Sequence, residues 1–240
     1  MAKPVATRAS LAVHVVVFGF DPEPGVTPRN ALHVLIVGKA LPGGLVGGTE
    51  RFAEAALAFA SEAGVDLAAR RGRSPLHLVG LDDEPGRSRR VTAWYYAAAP
   101  FVDIGGPGHW AVARAPALDG GSTRALRASL AQLTSDTRQV SAAAALLGEV
   151  FTGDDLLRLH VALHGGPEGS ERTFRRRVQE LRDSGVLKPV RDSEVAALRL
   201  RHPRFRSPPG TGGRPPELLR YAGAGGDDGQ LAGLRARRSA

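Results

Sequence analysis

The segment 170–177 concentrates four arginines with one serine and one threonine. The planar guanidinium of arginine binds guanine O6 and N7 with two parallel hydrogen bonds, or clamps a phosphate group. If the segment is helical, Arg172 and Arg176 lie opposite an apolar side formed by Phe174, Val178 and Leu181. Such a two-sided helix is typical of one that reads a DNA groove. The residues expected to contact DNA are Ser170, Arg172, Thr173, Arg175, Arg176 and Arg177.

A second basic feature follows at Gly212-Gly213-Arg214-Pro215-Pro216, where the glycines allow a sharp turn between two strands. Arg214 at the tip of such a hairpin is well placed to enter a minor groove. Arg177 lies nearer the apolar side of the helix and is expected to hold phosphate or to pack. The alternative for the whole region is a solvated arginine-rich helix that has no polyanionic partner.

The distribution of charge favours a polyanionic partner for the C-terminal third of the chain. The formal net charge is +8. Residues 1–150 hold 15 Lys and Arg against 13 Asp and Glu, whereas residues 151–240 hold 17 against 11. Neutralisation of phosphates with release of counterions drives binding to such a region. A solvated basic surface is the alternative that charge alone leaves open.

One stretch resembles the start of the Nudix box: Leu41-Pro42-Gly43-Gly44, with Glu50 six residues further on. In that family the box continues as an Arg-Glu-apolar-x-Glu-Glu run, whose carboxylates share a helix face and hold Mg²⁺ on a pyrophosphate. The metal then activates water. Here Ala58 and Phe59 occupy the first two positions of the run, and Glu62 alone remains of the terminal pair. We therefore expect no catalytic residue and no metal, and Glu50 stays a candidate ligand contact.

Arginines in the first half of the chain are candidates to bind the phosphate groups of a ligand through charge-assisted hydrogen bonds. They form two clusters, and exposed loop charges without a ligand are the alternative for both. One cluster consists of Arg70, Arg71 and Arg73, and ligand contacts are expected from the other, which consists of Arg87, Arg89 and Arg90.

The elements that position these residues fall into two groups, of which the first predicts an α/β sandwich. Runs rich in Val, Ile and Leu predict strands, and apolar residues at helical spacing predict helices. Gly64 is suited to the left-handed position that ends the first helix. The expected elements are strands Leu11–Phe18, Ala31–Val37, Leu76–Leu81 and Arg90–Ala98, and helices Glu50–Ala63 and Gly120–Leu133.

Three aromatic residues, Trp94, Tyr95 and Tyr96, alternate in direction along the last of these strands. At least one of them must therefore pack in the core, and stacking on a base is open to the others.

The second group begins with Thr152 and Asp155, which are spaced as a capping box at the start of a helix. Ser170 is placed to cap a second helix, which Gly185 ends. Helix, turn, helix and basic hairpin in this order predict a winged helix-turn-helix. The expected elements are helices 152–164 and Glu171–Ser184, and strands Val195–Leu200 and Glu217–Tyr221.

The bulk composition limits the classes of protein to consider. With 240 residues, 42% of them apolar, the chain has enough material for one large domain or two modest ones. Cysteine is absent, which excludes disulfides and thiolate metal sites. No signal peptide is expected, and the early apolar run Leu11–Phe18 is too short to span a bilayer. We expect a cytoplasmic protein that has no membrane contact.

Further stretches resemble one family, the Nudix-related transcriptional regulators. They are 89–97 and His109-Trp110-Ala111-Val112 in the first half, and 146–152, Phe174-Arg175-Arg176-Arg177, 213–216 and Tyr221 in the second. The resemblance covers about residues 11–221. It implies a homodimeric repressor of bacterial NAD metabolism that requires no cofactor. Its catalytically inactive Nudix-like domain would bind ADP-ribose or a related nucleotide effector, which weakens the binding of double-stranded DNA.

The chain departs from this family just before the box. The segment between Val37 and Leu41 is shorter than in the family, and the usual tryptophan before Leu-Pro-Gly-Gly is absent. Because that loop helps to shape the nucleotide pocket, two alternatives stay open: a ligand that differs from the family's, or a vestigial pocket.

We therefore expect an α/β protein, in which a Nudix-like α/β/α sandwich with a mixed sheet precedes a C-terminal winged helix-turn-helix domain. The expected divisions are a disordered leader at 1–10, a ligand-sensing domain at 11–135, a linker at 136–150, a DNA-binding domain at 151–221 and a disordered tail at 222–240.

Two other classes of function stay open at this point. A Mg²⁺-dependent Nudix pyrophosphohydrolase would use Glu50, Glu54 and Glu62 as metal ligands. A basic interaction module would instead present the same arginines to RNA or to an acidic protein.

Overall fold

The computed structural model describes residues 9–68, 76–84, 89–166, 170–206 and 215–223. The chain divides into two compact units, and each unit is assembled from two separate segments. The first unit consists of Met1–Gly19 and His33–Gln132, and the second consists of Phe20–Leu32 and Leu133–Ala240. The second unit therefore takes in a segment that the sequence placed inside the first domain. Most of the expected leader and tail lies outside the described residues.

The first unit is built on a six-stranded mixed sheet. The strands run in the order β4-β5-β1-β2-β6, and β3 pairs antiparallel with β1. β4 pairs antiparallel with β5, and β2 with β6. The strands are β1 (Ser10–Phe20), β2 (Leu32–Val37), β3 (Gly43–Leu45), β4 (Leu76–Glu84), β5 (Arg90–Pro100) and β6 (Gly108–Val112).

Both faces of the central strand β1 are buried. Val13, Val15 and Val17 belong to a core cluster that also contains Leu35 of β2 and alanines of helix α1 (Phe52–Glu62). The alternate residues Ala12, Val16 and Phe18 are buried as well. Because alternate residues of a strand point to opposite faces, this sheet is covered on both sides. The expected sandwich is therefore confirmed. The sequence of β1 shows no clear alternation of apolar and polar residues, because both faces of the strand are apolar.

Helix α1 begins at Phe52, two residues later than expected, and ends before Gly64, which has a φ of +101°. This positive φ is the left-handed conformation that the sequence predicted for the glycine after the helix. The other long helix of this region, α2, spans Gly120–Asp136. The Asp119 carboxylate caps its first turn by accepting a hydrogen bond from the Ser122 backbone N–H at 2.7 Å.

The second unit combines helices with a small antiparallel sheet in the order β7-β9-β8. Two 3₁₀ turns, Pro28–Asn30 and Pro203–Phe205, complete it. Its elements are α3 (Val140–Leu147), β7 (Phe151–Thr152), α4 (Gly153–His164), α5 (Glu171–Asp183), β8 (Leu187–Pro189), α6 (Asp192–Arg201) and β9 (Leu218–Tyr221).

The caps predicted for α4 and α5 are present. The Thr152 hydroxyl accepts from the Asp155 backbone N–H at 3.0 Å, and the Asp155 carboxylate accepts from the Thr152 N–H at 2.8 Å. The Ser170 hydroxyl accepts from the Thr173 N–H at 3.2 Å. Gly165 ends α4 in the left-handed conformation, with a φ of +79°. Local bonds between residues three apart thus mark both helix starts.

One expectation about this unit is wrong. The strand predicted over Val195–Leu200 is part of α6, whose first turn carries two acids and whose last turn carries two arginines, an arrangement that suits the helix dipole. Its apolar residues gave no clear period, and Leu200 is 75% exposed. The linker expected over 136–150 contains α3, in which five of the eight residues are buried. An alanine- and leucine-rich run of this kind is stable only when it packs.

Among the described residues, no helix combines the length and the apolar composition that are needed to cross a membrane.

Candidate nucleic-acid interface

Helix α5 is anchored by one apolar side. Phe174, Val178 and Leu181 are buried within the second unit, as the spacing predicted. The positions opposite them, Arg172 and Arg176, are exposed. A helix fixed in this way holds its outward side chains in a defined register, which is what the recognition of a groove requires.

Arg172 and Arg176 differ in how firmly they are held. Arg172 forms no hydrogen bond or ion pair with any residue in the described parts of the chain. The Nε atom of Arg176 lies 3.7 Å from an Oε atom of Glu180, and both side chains are well exposed. Exposed pairs of this length contribute little free energy. Both guanidinium groups are therefore available to a polyanionic ligand.

Arg175 is restrained more strongly than its neighbours. Its Nη2 donates to Glu171 Oε1 at 2.7 Å and lies 3.3 Å from Asp154 Oδ1 on α4. Arg177 donates through Nη1 to Glu180 Oε2 at 2.9 Å. These carboxylates, which the sequence reading did not use, orient two of the four arginines along the helix.

The two polar residues at the start of α5, Ser170 and Thr173, contact each other. The hydroxyls of Ser170 and Thr173 lie 3.1 Å apart, in addition to the capping bond from the Thr173 N–H. Both side chains are exposed. Arg214, the remaining residue expected to contact DNA, lies outside the described residues, as do Gly212 and Gly213.

Ion pairs that sequence spacing did not reveal connect the flanking elements of the second unit. Arg182 on α5 lies 2.8 Å from Glu217, just before β9. Arg220 on β9 lies 2.9 Å from Glu194 on α6 and 3.1 Å from Glu149. The first pair joins α5 to the residue before β9, and the other two join β9 to α6 and to Glu149.

In the first unit, the glycines of Leu-Pro-Gly-Gly are required by close packing. A Cβ atom at Gly43 would collide with the His14 ring and the Val13 carbonyl, because β3 lies directly against β1 there. A Cβ atom at Gly44 would lie 2.9 Å from Cζ of Phe59 on α1. Phe59, which stands where the Nudix box has its first glutamate, therefore packs onto the glycine strand.

The carboxylates near the box are separate and exposed. Glu50 precedes α1, Glu54 lies 3.8 Å from Arg51 in an exposed pair, and Glu62 is the last residue of the helix. In the described parts of the chain, no three histidine or acidic side chains are grouped so that they could hold a metal ion.

Two of the arginines expected to meet ligand phosphates, Arg89 and Arg90, are exposed in the described part of the chain. Arg89 forms a two-point ion pair with Asp83, with Nε donating to Oδ1 at 2.9 Å, and this contact lowers the pKa of Asp83. Arg90 is exposed, and Arg87 lies outside the described residues, as do Arg70, Arg71 and Arg73. Neither Arg89 nor Arg90 bonds to Glu50 in the described chain.

The predicted aromatic strand provides a stacked pair that the sequence did not reveal. The ring of His14 on β1 stacks on Trp94 of β5 at a centroid distance of 4.8 Å. The Trp94 Nε1–H donates to Asp82 Oδ2 at 2.9 Å, and Arg124 lies 3.8 Å from the same oxygen. Burial lowers the pKa of His14, so its ring is neutral at neutral pH. Trp94 and Tyr96 are both buried in the core, and Tyr95 packs partly buried against it.

Searched by sequence, the chain matches no protein-family model and no curated protein. Comparison of folds gives a different result. Shewanella oneidensis NrtR complexed with a 27mer DNA superposes with a TM-score of 0.63 at 19% identity, over 88% of this chain and 93% of that one. A second crystal structure of Shewanella oneidensis NrtR superposes on this chain with a TM-score of 0.62 at 20% identity, again over 88% of this chain and 93% of that one.

A MutT/nudix family protein from Enterococcus faecalis has a TM-score of 0.60 at 14% identity, covering 90% of this chain and 89% of that one. At these identities the comparisons establish the fold, and they extend it over nearly the whole chain. The α/β fold expected from the sequence is thereby confirmed.

Proposed function

We propose that the protein is a DNA-binding transcriptional regulator whose first unit senses a nucleotide without hydrolysing it. One observation carries the proposal: α5 presents Arg172 and Arg176 outward, while Phe174, Val178 and Leu181 fix its other side. The helix starts at a serine cap, and residues 165–170 separate it from α4. Two helices at this spacing are typical of a winged helix-turn-helix.

The fold of the second unit supports this proposal. Helices α4 and α5 are followed by β8 and β9, which pair antiparallel as the strands of a wing do. NrtR, whose fold the chain shares, is a Nudix-related transcriptional regulator crystallised with DNA. We extend that role to this chain because the arginine side of α5 supplies the groups that DNA recognition needs.

The first unit fits a sensor better than a hydrolase. Phe59 lies against Gly44 where the Nudix box places a glutamate, and Glu50, Glu54 and Glu62 are dispersed on the surface. Mg²⁺ on a pyrophosphate needs converging carboxylates. We propose ADP-ribose or a related nucleotide as the effector, with Arg87, Arg89, Arg90 and Glu50 as ligand contacts. We further propose that the protein acts as a homodimeric repressor in NAD metabolism.

The test is selection of binding sites from the source genome, followed by titration of the enriched duplex. We expect the full chain to bind this duplex at least about a thousandfold more tightly than a scrambled duplex of equal length. Structured RNA serves as the competitor. Equal affinity for scrambled DNA and the enriched duplex, or preference for RNA, would refute the regulator and favour the basic interaction module.

The effector is tested separately by adding ADP-ribose to the protein–DNA complex. An effector that binds the free protein better than the DNA-bound protein must weaken DNA binding by the same factor, because the two equilibria are linked. Unchanged DNA affinity at millimolar ADP-ribose would remove this nucleotide as the effector, and the DNA-binding assignment would stand.

A further inference from the structure

The segment Phe20–Leu32, which we term the β1–β2 excursion, belongs to the second unit although it connects two strands of the first unit's sheet. Three prolines at positions 22, 24 and 28 restrict its backbone and remove three N–H donors. The Asp21 N–H donates to the Ala31 carbonyl at 2.7 Å and closes the excursion at its base. Its two ends continue directly into β1 and β2, which are neighbours in the sheet.

One arginine on α4 holds this excursion. Arg158 donates from Nη1 to the Pro22 carbonyl at 2.7 Å, and from Nη2 to the carbonyls of Glu23 and Val26, both at 2.6 Å. The contact spans more than 130 residues of sequence and is partly buried. Three short bonds from one charged, planar donor to three backbone oxygens define the position of the excursion more closely than an exposed ion pair does.

A second arginine acts on the same segment. Arg204 lies 3.6 Å from the Asp155 carboxylate, and the two side chains are only 15% and 10% exposed. Its guanidinium also lies over the ring of Phe205, at 4.4 Å from the centroid. After Asp155, the carboxylates of Glu23 and Asp21 are the next strongest favourable charges on Arg204. The acidic start of the excursion therefore faces a buried cation of its own unit.

Helix α4 contacts α5 as well as the excursion. Asp154 lies 3.3 Å from Nη2 of Arg175, and the His160 ring lies 5.3 Å from the ring of Phe174, the apolar anchor of α5. One helix thus contacts the arginine helix through Asp154 and His160 and the excursion through Arg158. A displacement of the excursion can therefore be transmitted to α5 through α4.

We propose that Arg158 is a positioning residue: it holds the β1–β2 excursion against α4 and so makes the excursion a functional part of the DNA-reading unit. This inference rests on the proposed function of α5. Because both ends of the excursion are covalently continuous with β1 and β2, a change in the spacing or order of those strands reaches α4 through the chain itself. The DNA-reading unit is accordingly discontinuous in sequence, and its behaviour depends on residues 20–32.

The test is hydrogen–deuterium exchange on the full-length protein, with amide protection in residues 21–31 as the readout. Arg158→Gln removes both the charge and the planar guanidinium group, whereas Arg158→Lys keeps the charge alone. Arg127→Gln, on an exposed residue of α2 that has no hydrogen bond or ion pair in the described chain, is the matched control. We expect exchange of the Asp21, Val26 and Asn30 amides to accelerate about tenfold or more in both Arg158 variants and not in the control.

Circular dichroism confirms that each variant is folded, and if Arg158→Gln does not fold, Arg158→Lys decides the question. Exchange at parental rates in a folded Arg158 variant would overturn the proposal.

The second arm adds the duplex selected from the genome. In the parent protein, we expect DNA on α5 to slow exchange in residues 21–31 by about threefold or more, whereas the Arg158 variants lose this response. A purely structural role for Arg158 predicts the same DNA-dependent protection in parent and variants, and that result would overturn the coupling. If the parent binds no DNA, the proposed function fails, while the exchange of the free protein still decides whether Arg158 holds the excursion.

Discussion

The ring of Phe59 on α1 packs directly against Gly44 on β3, since a Cβ atom at that glycine would lie 2.9 Å from Cζ of the phenylalanine. This apolar contact joins the helix of the first unit to its sheet.

Substituting Gly44 tests the contact directly. Gly44→Ala should lower the free energy of unfolding by about 1–3 kcal/mol, because the added methyl forces the Phe59 ring to shift. Gly48→Ala is the matched control, since no atom lies within 4 Å of its added Cβ. Urea denaturation followed by circular dichroism measures both variants, and equal stability of the two would contradict the packing described.

Catalysis should be absent. The full chain with Mg²⁺ or Mn²⁺ should release no phosphate from ADP-ribose or nucleoside diphosphate derivatives in a phosphatase-coupled assay, because the carboxylates do not converge. Glu62→Gln is the control for contaminating hydrolase activity. Turnover above background that disappears in this variant would establish the hydrolase in place of the sensor.

Arg176 separates base reading from phosphate contact. If Arg176 binds a guanine, Arg176→Ala should cost about 1–3 kcal/mol per half-site and relax the preference at one base pair. If it contacts phosphate alone, affinity should fall equally on every sequence and the salt slope should decrease by about one unit. Titrations of selected and scrambled duplexes at several salt concentrations distinguish the two outcomes.

Two further variants control this experiment. Phe174→Ala should weaken DNA binding by unfolding the helix, since truncation of a buried phenylalanine costs about 3–5 kcal/mol. Arg172→Ala should weaken binding and leave the circular dichroism spectrum unchanged. Folded Arg172→Ala and Arg176→Ala proteins that bind the selected duplex as tightly as the parent would exclude α5 as the reader.

His14 should make stability depend on pH. Burial is the main cause that lowers its pKa below the ordinary 6.5, and the nearby Arg90 adds to this, whereas a backbone hydrogen bond at Leu41 and the charge of Asp119 oppose it. The unfolded chain therefore takes up a proton near pH 6.5 that the folded chain resists. The free energy of unfolding should fall as the pH drops from 6.5 through the folded pKa, and His14 should contribute no further change above 6.5.

Urea denaturation between pH 5 and 8 measures this effect. His14→Asn should show a shallower decline below pH 6.5 than the parent, whereas His109→Asn, which alters an exposed histidine, should retain the parental slope. A parental slope in His14→Asn would show that His14 is not the responsible group.

Assembly should be dimeric. A winged helix reads a short half-site, and two-fold related readers lie about 34–36 Å apart on near-palindromic DNA. Multi-angle light scattering should therefore give twice the 25.2 kDa of one chain. A monomer both free and on DNA would exclude the dimer.

Local features of this protein were determined by the sequence alone. The caps at Thr152 and Ser170, the left-handed Gly64 and Gly165, and the apolar side of α5 all follow from residues within about one or two helical turns of each other. Short-range hydrogen bonds and the 3.6-residue helical period depend little on contacts with distant parts of the chain. The arginine side of α5 could be predicted for the same reason.

Other features depended on the tertiary structure. The strand predicted at Val195–Leu200 lies within helix α6, where Val195 and Leu198 pack partly buried against a core cluster of the second unit. A short apolar run does not by itself distinguish a strand from a helix. Arg175 is tied to Asp154 on another helix, whereas Arg172 has no such contact in the described parts of the chain. Arg158 and the carbonyls of residues 22–26 meet across more than 130 residues. No local pattern specifies such partners, because a guanidinium accepts any suitably placed oxygen and the folded backbone alone decides which oxygens are within reach.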